Sequence, residues 1–370
     1  MRLRTVQKRR PFPKESEVQE NGHRHNRGRL SLVACQSGRE FAARVDEHLQ
    51  DIMPSENGHA DSALRNTTEL RFANGEIKNI ISENVRGDDL YVIQCMDDPI
   101  RREHADPDER RTINDNLMSL LTAVNASWQS DPDSITAVIP QFPYSRQERK
   151  KTREGITARL VASAIEDAGA NRVLTLDIHA EAIQGFFQRA ILEDLHASHE
   201  IISFFRDKLA PERLVVVAPD TGSADKARFY SGKFECGFAL VDKARDYSKK
   251  SSIESMRLVG DVEDKQVLLP DDMVGTGGTL INACKLLREA GAREIYLACS
   301  LPFFNGRAIE KLDAAHAEGL FDFIVGTDAV YHGENFSKEH PWYREVSVAR
   351  LFARVIFNIN RKLSVSRLLK

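Results

Sequence analysis

Two adjacent carboxylates stand directly before a run of Gly and Thr in the stretch LLPDDMVGTGGTL, residues 268–280. Asp271 and Asp272 end an apolar run typical of a β-strand, and an amphipathic, helix-like stretch follows. Ligands of open α/β sheets bind beyond the carboxyl ends of strands. A helix beginning there would point free backbone N–H groups at a phosphate, which the glycines let approach closely. A phosphorylated sugar would use both features, since its hydroxyls or a bound metal can pair with the acids.

The spacing of these glycines excludes two other phosphate-binding motifs. A P-loop requires a Lys after its second Gly, and no Lys follows here. The dinucleotide motif GxGxxG needs a third Gly where this chain has Leu280. A solvated acidic pair and an ordinary Gly turn would each explain one half of the stretch. The combination of strand, acids, glycines and helix favours the sugar-phosphate interpretation.

Composition excludes several functional classes. The chain has 370 residues and a net charge of -3, without the basic excess of a general nucleic-acid binder. Its length corresponds to about two domains. We expect no membrane association, because the sequence lacks an apolar run of about 18 residues and a secretory segment. The five scattered cysteines predict reduced, mostly buried thiols and a cytoplasmic protein.

Residues 1–30 form a basic segment, with nine Lys or Arg and three Glu among the first 29 residues. The segment shows almost no periodic apolar pattern, so we expect a flexible tail. A transit peptide and an alternative or engineered start are the other interpretations. The Glu residues and two prolines fit a transit peptide poorly.

After the tail, short apolar runs alternate with helical patterns. Helices are predicted at 157–170 and 279–292, and both stretches end in AGA, which indicates two similar halves. Strand–helix alternation of this kind predicts an α/β fold with parallel sheets flanked by helices. The polar stretch 97–111 is expected to be a surface loop. The predicted strands cover residues 90–95, 135–140, 172–177, 214–220, 266–272, 294–300 and 321–328.

Together with the opening stretch, several motifs resemble those of ribose-phosphate diphosphokinases (phosphoribosyl pyrophosphate synthetases). They are RFANGEIKNIISENVRG (71–87), NDNLMSLL (114–121), IPQFPYSRQERK (139–150), ITARLVASAIEDAGANRVLTLDIHAEAIQGFF (156–187), APDTGSADKAR (218–228) and VDKARDYSKK (241–250). Their order agrees with the family over almost everything after the tail. The resemblance implies two tandem phosphoribosyltransferase-type domains and a C-terminal helix packed back on the first domain. Its boundaries are 31–188, 189–345 and 346–370.

The resemblance also implies the reaction, in which the diphosphoryl group of Mg-ATP passes to O1 of ribose 5-phosphate. The products are phosphoribosyl pyrophosphate and AMP. Such a transfer depends on positioning and charge neutralisation, so cations, a Mg²⁺ ion and rigid cradles are expected. Asp271 and Asp272 would hold the ribose hydroxyls. The 5-phosphate would be held by Thr276, Gly277, Gly278 and Thr279.

For ATP, the resemblance points to Arg146 and Gln147, and Arg suits bidentate phosphate contacts. It places His179 against the nucleotide phosphates and metal, and it makes Asp220 a metal ligand. Taken alone, Asp220 after a strand is more typical of a helix N-cap, and His179 of a structural histidine. Three further residues would reach the adenine of ATP on a neighbouring subunit, which implies a homo-oligomer, a hexamer built from dimers: Phe72, Asn74 and Glu76.

A basic pair, Lys243 and Arg245, matches the family's mobile catalytic loop, which closes over the transferring phosphates and excludes water. A charged exposed loop without a role is the alternative for this pair. In this family a third acid usually follows the acidic pair, but this chain has Gly275 at that position. If the missing carboxylate made one charged hydrogen bond, its loss would cost about 1.5–3 kcal/mol.

Two other departures are Ser223 in place of a second Gly and Leu301 in place of a His. One hypothesis is an active enzyme with an altered substrate loop, in which Gly275→Asp raises turnover. The second is a weakly active or non-catalytic homologue that assembles with an intact synthetase. A phosphoribosyltransferase that consumes the product is a third, although it leaves RFANGE and DIHAEAIQGFF unexplained.

Overall fold

The architecture is that of a computed structural model, which describes residues 27–53, 60–104, 106, 109–245, 254–366 and 368. Most of the predicted tail, residues 1–26, lies outside the described residues. The tail was expected to reach residue 30, but the first strand already begins at Leu30. Arg29 is tied by an ion pair to Asp88, at 2.8 Å between Nη2 and Oδ2.

The first sheet contains five parallel strands in the order β1-β4-β5-β6-β7. Leu90 and Val92 pack with helices α2 (Ile113–Gln129) and α3 (Thr157–Ala168) on one face. Tyr91 and Ile93 pack with α1 on the other, because alternate side chains of a strand point to opposite faces. The elements are β1 (Leu30–Ala34), α1 (Arg39–Ile52), β4 (Asp89–Ile93), β5 (Ser134–Val138), β6 (Arg172–Leu176) and β7 (Ile191–Leu195).

A two-stranded hairpin, β2 (Thr67–Arg71) and β3 (Ile77–Ile81), stands apart from this sheet. It is held against α2 by Asn79, whose Nδ2 donates to the carbonyl of Ser119 at 3.0 Å. The turn of the hairpin, residues 72–76, is exposed.

The second sheet has seven strands in the order β10-β9-β8-β11-β12-β13-β14. All its neighbours are parallel except β9 and β10, which form an antiparallel pair at one edge. Its strands are β8 (Leu214–Ala218), β9 (Gly237–Arg245), β10 (Glu254–Val259), β11 (Gln266–Met273), β12 (Glu294–Leu301), β13 (Phe323–Thr327) and β14 (Tyr343–Val346). The remaining helices are α4 (Ser198–Phe205), α5 (Ala224–Phe234), α6 (Gly278–Glu289), α7 (Ala308–Ala317), α8 (Phe336–Glu339) and α9 (Ala349–Asn360).

The predicted α/β class with parallel sheets and two tandem domains is confirmed, and so are the seven predicted strands and both predicted helices. The predicted domain boundary at 188/189 falls before the last strand of the first sheet. Strand β7 pairs in parallel with β6, from Arg172–Ile191 to Leu176–Leu195. The first sheet therefore runs to Leu195, because its last strand is completed after the predicted boundary.

Helix α9 packs on α1 of the first domain. The rings of Phe41 and Phe352 meet edge to face with centroids 5.2 Å apart. Beyond them, Asn360 Nδ2 donates to the carbonyl of Gly28 and to Asp89 Oδ2, both at 3.2 Å. The C-terminal segment thus covers one face of the first sheet.

A second tie between the domains is ionic. Arg44 of α1 lies 3.0 Å from Asp328 Oδ2 and 3.3 Å from Glu345 Oε1, both in the second domain. Its guanidinium also lies over the Tyr331 ring, 4.1 Å from the centroid. Burial and the Asp328 charge raise the pKa of Glu345 to about 7, although Arg44 opposes the shift.

The five cysteines are free thiols, and four of them are buried, as expected: Cys35, Cys95, Cys284 and Cys299, with Cys236 partly exposed. In the described part of the chain, the helices are too short or too polar to cross a membrane.

Replacing Phe352 by Ala should lower the free energy of unfolding by about 3–5 kcal/mol, because it empties a fully buried position between α9 and α1. Chemical denaturation monitored by circular dichroism would measure the change. Leu363→Ala, at a position 37% exposed, is the control and should cost much less. A loss below about 1 kcal/mol for Phe352→Ala would contradict the packing of α9 on α1.

Glu345 should make the protein less stable as the pH rises from about 4 to 7. Its raised pKa means that the folded state binds the proton more tightly than the unfolded state, whose glutamate titrates near 4.3. From pH 5 to pH 8, the free energy of unfolding of Glu345→Gln should therefore rise by about 2 kcal/mol relative to that of the parent. Denaturation at both pH values would test this, with the exposed Glu318→Gln as control. Equal pH dependence in Glu345→Gln and parent would refute the assignment.

Candidate active site

A cleft of about 470 Å³ opens beyond the carboxyl ends of β8 and β11. It is bounded by the segment after β6, the turn after β8, and the loop between β11 and α6. Nine residues that the sequence singled out line it together: Arg146, His179, Asp220, Asp271, Asp272, Thr276, Gly277, Gly278 and Thr279.

The loop between β11 and α6 forms a cradle of backbone N–H groups. Gly277 has a positive φ of 73° at the N-cap, a conformation that side chains rarely adopt, and α6 begins at the next residue. The first N–H groups of a helix lack intrahelical acceptors, so they are available to an anion. Thr276 and Thr279 are exposed beside them and add hydroxyl donors.

The two acids at the end of β11 differ in how readily they lose a proton. Burial and the neighbouring Asp272 charge raise the pKa of Asp271 to about 6. Burial also acts to raise the pKa of Asp272, but the nearby His179 and the charge of Lys226 lower it below the usual range. The Asp272 N–H donates to Asp271 Oδ1 at 2.8 Å, which fixes the two carboxyl groups relative to each other.

Lys226 of α5 lies behind the acidic pair, and no sequence pattern indicated a role for it. Its Nζ is 2.6 Å from Asp272 Oδ1 and 3.5 Å from Oδ1 of Asp177, which follows β6. Burial lowers the pKa of the Lys226 ammonium, but these two carboxylates outweigh burial and raise it. The stretch ADKAR contains Lys226 shortly after a strand. Its sequence does not indicate a contact with Asp177, which lies 49 residues earlier in the chain.

His179 and Asp220 border the same cleft as the acids. The Nδ1 atom of His179 is 3.7 Å from Asp272 Oδ2. Asp220 caps the turn at 221–223, where its Oδ1 accepts from the N–H of Ser223 at 3.1 Å and from the Ser223 hydroxyl at 3.2 Å. The N-cap interpretation of Asp220 is therefore correct, and the same residue borders the cleft.

Magnesium prefers oxygen ligands and is usually held by one or two carboxylates together with substrate phosphates and water. Among the described residues, no group of three or more His, Cys, Asp or Glu is arranged to hold a metal. Asp220 and Asp271 nevertheless border one cleft, so the donor set fits a Mg²⁺ ion shared with a phosphorylated substrate. The nitrogen of His179 suits a phosphate oxygen better than it suits Mg²⁺.

A neighbouring cavity of about 550 Å³ contains Gln147 and again Arg146. Arg146 lines both cavities and so stands between them. A Cβ added to Gly275 would meet only the two terminal nitrogens of Arg146, at 3.7 and 3.8 Å. The apolar part of the neighbouring cavity comes from residues of both domains: Met96, Phe142, Tyr144, Met273 and Phe303.

The polar stretch 97–111, expected to be a surface loop, takes part in this cavity. Asp97 is only 4% exposed, and Arg102 pairs with it and donates to Asn305 Oδ1 at 3.0 Å. Arg111, with a side chain 9% exposed, pairs with Glu69. The expectation was wrong for these residues, because their charges are neutralised internally and can be buried.

Three predicted residues in the described part of the chain do not line either cavity. Phe72, Asn74 and Glu76 occupy the hairpin turn, where all three are exposed. Lys243 and Arg245 belong to β9, with backbone partners Met256 and Glu254 in β10. Their side chains, and residues 246–250 of the stretch VDKARDYSKK that resembles the mobile loop, lie outside the described part of the chain.

Comparison with known proteins relates the chain to one protein family. Residues 30–169 match the N-terminal domain of ribose phosphate pyrophosphokinase, and residues 190–335 match the phosphoribosyl transferase domain. Ribose-phosphate pyrophosphokinase A of Dictyostelium discoideum is 35% identical over 92% of this chain and 98% of its own length. The ribose-phosphate pyrophosphokinase of Chlorobaculum tepidum is 34% identical over 92% of this chain and 94% of its own.

A solved structure agrees with the sequence relatives. The crystal structure of phosphoribosylpyrophosphate synthetase from Mycobacterium smegmatis superposes with a TM-score of 0.76 and 31% identity, covering 90% of this chain and 98% of that one. The similarity spans both domains. The chain belongs to the ribose-phosphate pyrophosphokinase family.

Proposed function

We propose that the protein transfers the diphosphoryl group of Mg-ATP to O1 of ribose 5-phosphate, giving phosphoribosyl pyrophosphate and AMP. The observation that carries this proposal is one cleft in which a helix N-terminus stands beside two acids, with Arg146 bridging to a second cavity. A sugar phosphate and a nucleotide could then meet at Arg146. The names of the relatives support the same chemistry.

On the ribose side, the 5-phosphate would lie against the start of α6 and the Thr276 and Thr279 hydroxyls. Asp271 and Asp272 would accept hydrogen bonds from the ribose hydroxyls. Because these acids are part of a rigid strand end, the sugar would be held with O1 in one orientation, which is the main requirement of an in-line transfer.

On the ATP side, Arg146 and Gln147 would contact the phosphates, and His179 would face the same groups. In the transfer, the O1–Pβ bond forms. The bond between Pβ and the oxygen that links it to Pα breaks, so AMP leaves with that oxygen. The O1 proton is released. Lys243 and Arg245 are proposed as the cations that stabilise charge on the transferring group, with His179 as the third catalytic residue.

Bound Mg²⁺ would neutralise phosphate charge. Asp220 would hold it through its carboxylate, with the family's His179 beside it. The exposed hairpin residues Phe72, Asn74 and Glu76 would complete the ATP site of a neighbouring copy, in a hexamer built from dimers. Five free thiols are consistent with a cytoplasmic location.

The purified protein should convert ATP and ribose 5-phosphate to AMP and phosphoribosyl pyrophosphate in equal amounts when Mg²⁺ is supplied. Lys243→Ala should reduce turnover about 10²–10³-fold, the usual effect of removing one group that stabilises transition-state charge. Chromatographic quantification of both products would measure it, with and without inorganic phosphate. No product above the Lys243→Ala background, with ATP binding intact, would reject the proposed reaction for the isolated chain.

Gly275→Asp should raise turnover about 10–150-fold if the missing carboxylate makes one charged hydrogen bond to substrate. The structure has room for the side chain, since among the described residues only the Arg146 nitrogens lie within 4 Å of the new Cβ. Gly275→Asn is the matched control, with the same shape and no charge. Unchanged turnover in Gly275→Asp would show that this loop does not limit the reaction.

A further inference from the structure

Three charged side chains form a chain of contacts where the two domains meet. Asp177 belongs to the first domain and follows β6, whereas Lys226 and Asp272 belong to the second. The Lys226 ammonium lies between the two carboxylates, at 3.5 Å from Asp177 and 2.6 Å from Asp272. Only Asp272 lines the cleft; Asp177 and Lys226 lie behind it.

Asp177 is itself held firmly. Its Oδ2 accepts from the N–H of Ala197 at 3.1 Å and from the hydroxyl of Ser300, which belongs to β12 in the second domain. Its Oδ1 lies 3.1 Å from Nδ1 of His196. The carboxylate is 7% exposed, and the backbone adopts a positive φ of 42°. Asp177 therefore offers Lys226 a fixed anchor.

We propose that Lys226 is a positioning residue that fixes Asp272 for the ribose hydroxyls by bridging it to Asp177 across the domain junction. The bridge is specific to one oxygen, since Asp272 Oδ1 faces Lys226 and Oδ2 faces His179 at 3.7 Å. The orientation of a ribose-binding carboxylate is thereby tied to the docking of the domain that carries Arg146 and His179.

The charge balance explains why a cation is required at this position. Asp177 and Asp272 would otherwise face each other in a shielded region beside the Asp271 carboxyl group. Removing one partner of a shielded ion pair is strongly unfavourable because the other charge stays uncompensated. Without Lys226, Asp272 would turn toward solvent and lose its alignment with the sugar.

This inference rests on the proposed function, because it assigns Asp272 to ribose 5-phosphate. Lys226→Met keeps the length and removes the charge, so the dissociation constant of ribose 5-phosphate should rise about 10–100-fold. The dissociation constant of ATP should change less than about two-fold. Lys226→Arg should restore most of the affinity, since it returns a cation that reaches both carboxylates. Lys233→Met, on the exposed side of the same helix, is the matched control.

Isothermal titration calorimetry with each ligand would measure these values, and thermal unfolding would show whether each variant is folded. Asp177→Asn should also weaken ribose 5-phosphate binding, although Asp177 does not line the cleft. The double variant Asp177→Asn with Lys226→Met should bind no more weakly than the poorer single variant, because both act through one bridge. Additive losses, or equal losses for ATP and ribose 5-phosphate, would overturn the bridge as a positioning device.

Direct binding separates this inference from the reaction itself. If the unaltered protein binds ribose 5-phosphate but forms no product, the proposed reaction fails while the variants still support or overturn the bridge. If the unaltered protein does not bind ribose 5-phosphate, both proposals are overturned. Unchanged affinity in a folded Lys226→Met variant would overturn the bridge alone.

Discussion

The ammonium group of Lys226 lies between carboxylates that come from two different sheets. The strands of a parallel sheet have their carboxyl ends on the same side. Two sheets whose carboxyl ends face each other therefore bring several acids into a small volume. Asp177, Asp271 and Asp272 are such acids, and their mutual repulsion would open the junction without a cation. The pKa of Asp177 is held below its usual range despite burial, through Lys226, His196 and Ser300. The cleft depends on this local neutralisation.

Two further contacts keep the same junction closed at its periphery. Arg44 joins α1 to Asp328 and Glu345, and α9 covers the first sheet through Phe352. Both involve α1, so one helix carries an ionic and an apolar tie to the second half of the chain. The relative position of the two halves of the chain is thus fixed by three separate sets of contacts.

All seven predicted strands lie inside the two main sheets, whereas the four edge strands and the interior strand β9 were not predicted. Buried parallel strands are continuous apolar runs, which is why β11 and β12 were visible. Strand β7 lies at a sheet edge, and its sequence ILEDL carries two acids on a partly exposed surface. It has no apolar run to detect, and the predicted domain boundary ended before it for that reason.

The same distinction holds for the site. Asp271, Asp272 and the glycines are contiguous in the sequence, so their spacing predicted a common ligand site, and the structure places them in one cleft. The contacts of Lys226 with Asp177, and of Arg146 with the space beside Gly275, join residues far apart in the chain. No local spacing rule describes such pairs, because they depend on how the two domains dock. Sequence reasoning therefore found the ligand-facing groups but not the groups that hold them.

The arrangement of charge also fixes which way a sugar phosphate can enter. Anionic phosphate is repelled by Asp271 and Asp272 but attracted by the N–H groups at the start of α6, which follow the acids by only a few residues. In the proposed reaction, the 5-phosphate therefore lies at the helix and the hydroxyls lie at the acids. Arg146, which lines both cavities, is the proposed contact for the ATP phosphates. An acid-lined cleft can bind two anionic substrates because its cations and N–H groups stand where the phosphates would lie.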